Sequence, residues 1–102
     1  MIAFGIDSID LDNAASAIRR ALQLEFRPHE SDFNGGPYCR AETTEGVITI
    51  QRNLDVLDNE PFEANWPSDR LVLYMDGASE DGWRSFIDAL RALRDPKVSE
   101  VR

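Results

Sequence analysis

A chain of 102 residues with 42% hydrophobic and 29% charged side chains has the size and make-up of one ordinary globular domain, 1–102, long enough to bury a core without disulfide or metal. Its formal net charge of −8 opposes phosphate backbones and anionic membranes, both of which need a cationic surface, so neither nucleic acid nor membrane is an expected partner. A lone cysteine, Cys39, forbids an internal disulfide and, with no N-x-S/T acceptor present, favours the cytoplasm over secretion.

The first residues lack the basic leader of a signal peptide and turn acidic by Asp7, and Ile2-Ala3-Phe4-Gly5-Ile6 reads as an edge strand. Leu11, Ala14, Ala15, Ile18 and Leu22 then recur at three- and four-residue steps, which predicts an amphipathic helix capped by Asp10 or Asp12. Arg19 and Arg20 lie in its C-terminal half, where positive charge complements the helix dipole. Period-two patterns follow, with strands expected at about 24–30, 37–43, 47–52 and 70–75. Thr44-Glu45-Gly46 joins the second and third of these as a hairpin, and the unbroken apolar run Leu71 to Met75 reads as a central strand buried on both faces. After the turn Asp76-Gly77-Ala78, Trp83, Phe86, Ile87, Leu90 and Leu93 predict a second helix, with Ser79 as N-cap and Pro96 just past its end. The expected fold is α+β: an antiparallel sheet of four to five strands with both helices on one face. Leu11, Ile18, Leu22, Ile48, Ile50, Leu73, Phe86, Ile87 and Leu90 should share its core. No repeat or linker divides the chain.

Chemistry-bearing motifs are sparse. His29 is the only histidine and has no nucleophile motif around it, and Cys39, in a predicted strand, reads as a small core residue. One histidine and one cysteine make a poor zinc set, and Asp7, Asp10 and Asp12 lack the glycine and terminal glutamate of a calcium loop, so they read as helix-capping residues and no metal or cofactor is expected. Gly35-Gly36 precedes Pro37 and a strand instead of a helix N-terminus, which makes it a turn or bulge, not a phosphate cradle. These absences favour a binding protein over an enzyme.

Charge placement says more than its sum. Residues 28–69 carry nine acids and two bases, Arg40 and Arg52, and so hold −7 of the −8. The same span contains two stretches that fit neither period, Ser31 to Gly36 and Leu54 to Pro67, and long irregular loops are where binding residues concentrate. The expected partner-binding surface is therefore Asp32, Phe33, Tyr38, Glu42, Asp55, Asp58, Glu60, Glu63 and Trp66. Its acids would steer a basic partner, and Phe33, Tyr38 and Trp66 would either anchor it or fill the core.

The stretch from Leu22-Gln23-Leu24-Glu25-Phe26 through Ser31-Asp32-Phe33-Asn34-Gly35-Gly36-Pro37-Tyr38 to Ile48-Thr49-Ile50-Gln51-Arg52-Asn53 resembles small bacterial immunity proteins of polymorphic-toxin and contact-dependent-inhibition systems. That resemblance implies a cytoplasmic protein that binds one cognate toxin domain and blocks its active site or an essential surface. An acidic inhibitor suits a toxin with a basic groove. Two other readings stand beside it. One is a small enzyme or ligand-binding domain using carboxylates with Arg40 or Arg52, and the other is a structural protein that buries a sheet face in a symmetric homodimer.

Overall fold

A computed structural model describes residues 1–101. The strands are β1 (Ile2–Ile6), β2 (Arg27–Ser31), β3 (Gly36–Thr43), β4 (Gly46–Arg52), β5 (Leu71–Gly77) and β6 (Val98–Glu100); the helices are α1 (Leu11–Leu22) and α2 (Arg84–Ala92). All six strands form one antiparallel sheet in the order β2-β3-β4-β5-β1-β6. The α+β class and the shared helix face are as expected, with one strand more. Strand β1 is not an edge. It lies between β5 and β6, and β6 is a three-residue strand too short to leave a period-two pattern.

Helix α1 begins where Asp10, in extended backbone, accepts a hydrogen bond from the Asn13 N–H at 3.1 Å, and it ends on Gln23 in the left-handed region. Helix α2 starts later than the sequence suggests: its N-cap is Trp83, and Ser79 only accepts the Trp83 N–H through its main-chain carbonyl. The reason lies in residue 82. A glycine there is a poor helix former, and its backbone sits so close to Ala78 that a Cβ would be 2.7 Å from the alanine methyl. Residues 80–83 form a turn, and the helix begins at Arg84.

Cross-strand register sorts every strand residue to one face. On the helix-covered face, Cys39, Ile50, Leu73 and Phe4 stand in one row, with Ala41, Ile48, Met75 and Ile2 in the next. These residues meet Ala14, Ile18 and Leu22 of α1 and Ile87 and Leu90 of α2 in a single core that encloses Trp83 completely. Leu11 and Phe86 are only partly buried at its margin, so two members of the expected core lie at its rim. Cys39 is buried among them, and burial, reinforced by the Asp12 carboxylate, pushes its thiol pKa above the ordinary value.

Pro28 stands opposite Cys39 and Pro37 opposite Glu30. Proline cannot donate to a ladder, so these two pairs are the non-hydrogen-bonded ones, and the main-chain groups of residues 28 and 30 point outward. The outer edge of β2 thus offers a neighbour just one amide N–H, that of Glu30, while the opposite edge is only β6. Both edges are weak templates for strand addition.

The β3–β4 hairpin turns through Thr44 and Glu45, and the Thr43 hydroxyl oxygen accepts from the N–H groups of Glu45 and Gly46 at 3.0 and 3.1 Å. Gly46 faces Gly77 across the β4–β5 pair at a φ of 143°, and a Cβ on it would lie 2.1 Å from the Asp76 carbonyl oxygen. Only glycine satisfies both conditions there.

Candidate functional site

The second face of the sheet carries no helix. Its register rows are Arg27, Arg40, Thr49, Tyr74 and Ala3; then His29, Tyr38, Gln51, Val72, Gly5 and Ser99; then Glu42, Val47 and Asp76. The residues after β4 fold back over the β5–β1 end of this face and leave the β2–β4 end open.

One side chain holds that loop in place. Asn53, fully buried, accepts the Glu63 N–H at 2.8 Å and donates to the carbonyls of Trp66, Glu63 and Pro67 at 2.8, 3.0 and 3.3 Å. Its own N–H donates to the Arg70 carbonyl at 2.9 Å, so both ends of the loop are pinned beside β4 and β5. The Trp66 indole then lies flat on Gly5, where a Cβ would come within 2.3 Å of the ring. This cover explains why Val72 is fully buried and why Leu71 to Met75 could read as a two-sided apolar run.

Glu63 is drawn inward by the same bonds. It is 8% exposed, and its carboxylate accepts the Tyr74 hydroxyl at 2.6 Å. Further along the loop, Asp55 and Glu60 bridge to close a small hairpin, with the Asp55 carboxylate accepting the Leu57 N–H at 3.0 Å. Val56 and Leu57 are exposed at its tip, with Asp58 and Glu60 exposed beside them.

Residues 32–34 form a 3-10 turn between β2 and β3, fixed where the Ser31 hydroxyl accepts the Phe33 N–H at 3.2 Å and closed by Gly35 at a φ of 78°. A Cβ on Gly35 would be 2.8 Å from the Leu54 carbonyl, so this turn and the loop abut. Gly35-Gly36 is thus a turn closure. Phe33 stands 80% exposed on it, beside the exposed Asp32.

Between turn and loop lies an open groove of about 520 Å³. Phe33, Phe62, Met1 and Val47 supply apolar walls, while Asn34, Thr49, Gln51, Glu63, Tyr74, Asp76 and Arg40 supply polar groups. Asn34 donates to the Gln51 side-chain oxygen at 3.0 Å, which ties the turn to the sheet floor. A second open groove, lined by Glu25, Arg27, His29, Arg40 and Glu42, adjoins it through Arg40.

The nine expected partner-binding residues thus separate. Phe33 and Glu63 share the groove, with Asp32 beside Phe33. Tyr38 and Glu42 lie on the same sheet face toward its open end, where Tyr38 stacks on His29 at 5.3 Å and Glu42 holds Arg40 at 3.3 Å. Asp58 and Glu60 are free surface, but Asp55 caps its own turn. Glu63 and Trp66 do not stand out on the surface as a polar loop would present them: one is buried under the loop and the other is spent covering Gly5. Arg40 stands in the row of Thr49, whereas Arg52, three positions on, falls on the opposite face, so no one site uses both arginines.

Sequence reasoning missed Phe62, Tyr74, Asp76, Gln51 and Asn34. A signal for two of them existed, because Val72, Tyr74 and Asp76 alternate with Leu71, Leu73 and Met75 and grow more polar along one face. Among the described residues no group of three or more His, Cys, Asp or Glu side chains is placed to hold a metal ion, and no helix is long and apolar enough to cross a membrane. No protein-family model, curated protein or solved structure matches the chain.

Proposed function

We propose that this chain is an acidic binding protein, of the immunity type, that neutralises a cognate bacterial toxin domain by masking its active site or a basic surface. The observation that carries the reading is apolar side chains held out on two braced turns and bordered by acids. Phe33 sits beside Asp32 on the 3-10 turn, and Val56 and Leu57 sit with Asp58 and Glu60 on the 55–60 hairpin. Protein interfaces draw binding energy from such anchors and association rate from the surrounding field. Preorganised turns also lower the ordering cost of association.

The test is co-expression and purification with the product of the adjacent gene, followed by association kinetics against salt. Asp58→Lys with Glu60→Lys should leave the fold intact and slow association about fivefold or more at low ionic strength, with a shallower salt dependence. Asp55 and Glu63 are left out because their side chains hold the loop together. An unchanged association rate across salt concentrations would remove the acidic surface from the reading.

A further inference from the structure

We infer that the groove between Phe33 and Phe62 is a receptor for one basic side chain, an arginine, presented by the protein partner; this rests on the reading above and names the chemistry of its contact. Four features converge on that occupant. The polar floor carries two carboxylates, that of Glu63, only 8% exposed and already accepting the Tyr74 hydroxyl, and that of the exposed Asp76. Asp76 and Tyr74 stand two residues apart on one strand face, about 7 Å along it, a span that a forked guanidinium with its several N–H donors can address. The walls are aromatic, and Phe33 and Phe62 offer ring surface both to the aliphatic stem and to the cation. Phe33 is an 80% exposed aromatic on a fixed turn, with no part in the core.

Two cations stand among the described lining residues, Arg40 and the Met1 ammonium, and Arg40 is already paired with Glu42 at 3.3 Å. At about 520 Å³ the groove is within the size range of ligand pockets, but it is open to solvent, so it admits a side chain carried on a larger body instead of enclosing a free molecule. The overall charge of −8 adds attraction at longer range.

The probe is a blocked Gly-Gly-Arg-Gly-Gly peptide, compared with its citrulline twin, titrated into ¹⁵N-labelled full-length protein. The arginine peptide should shift the amide signals of Phe33, Thr49, Gln51 and Tyr74 saturably in the millimolar range, with the twin about tenfold weaker because it lacks the charge. Glu63→Gln, which keeps an acceptor for the Tyr74 hydroxyl, should weaken the arginine peptide about tenfold, and Phe33→Ala about threefold. If Glu63→Gln disturbs the fold, Asp76→Asn, at an exposed position, supplies the same comparison. Equal binding of the twin, shifts confined to Asp55–Glu60, or no saturable shift would each overturn the inference. So would a toxin partner that binds both variants with unchanged affinity, an outcome that leaves the proposed function standing. Arginine-selective binding in the groove without any toxin partner would support the groove while the immunity reading fails.

Discussion

Asn53→Ala should detach the loop from the uncovered face of the sheet while leaving the two-helix core in place. The side chain is fully buried and takes part in four hydrogen bonds, of which the one from the Glu63 N–H, at 2.8 Å, has no substitute if the amide is removed. Its two N–H hydrogens serve three carbonyls, so the effective loss is about three bonds at roughly 1 kcal/mol each, including the cost of a buried unpaired amide. The expected destabilisation is about 2–4 kcal/mol. Its ceiling is the free energy of lifting the loop, since the chain can re-expose those groups to water instead of keeping them buried and bare. Asn53→Asp keeps the acceptor but turns an oxygen toward three carbonyls, and should lose at least as much. Urea unfolding gives the magnitude, and hydrogen exchange at the Glu63 and Trp66 amides locates it. A loss under about 1 kcal/mol for Asn53→Ala, with both amides still protected, would refute the claim that this residue holds the loop.

Gly5→Ala should push Trp66 off the sheet, costing about 1–3 kcal/mol and moving its fluorescence to the red, because the added methyl has no room beneath the indole. Phe86→Ala should cost about 1.5–3 kcal/mol by denaturant titration, less than a fully enclosed ring, since Phe86 is half-buried and leans on Trp83 with ring centres 5.8 Å apart. Cys39 should alkylate much more slowly than a free thiol at pH 8 and accelerate on unfolding. Its raised pKa lowers the thiolate fraction at that pH and its burial denies access, so native-state reaction at the rate of a small thiol would contradict both.

The helices, the three-strand run β3, β4 and β5, and the shared apolar face were legible because periodicity reports directly which face is buried. The groove was not. Glu63 looks like one acid among several in a polar loop, and nothing local distinguishes it from Glu60; a side chain ten residues upstream, Asn53, pulls its backbone inward. Trp66 was ambiguous between anchor and cover for a similar reason, since the answer depended on a glycine at position 5 that the chain brings beneath it only through β1–β5 pairing. Phe33 could be placed on an irregular stretch from sequence, but its exposure followed from the turn that Ser31 and Gly35 build around it.

The place of β1 also governs when the molecule can become whole. Strands β2, β3 and β4 follow one another with short connections, so their pairing is local, whereas Ile2–Ile6 finds its first neighbour only at Leu71–Gly77 and its second at Val98–Glu100. Closing so long a stretch costs chain entropy before any contact repays it. On this topology β1 has the longest wait between its own synthesis and that of the strands that flank it. Until β5 arrives, Phe4 and Ile6 wait as exposed apolar side chains on a segment open to wrong partners, and a growing polypeptide is at most risk of aggregation in that interval.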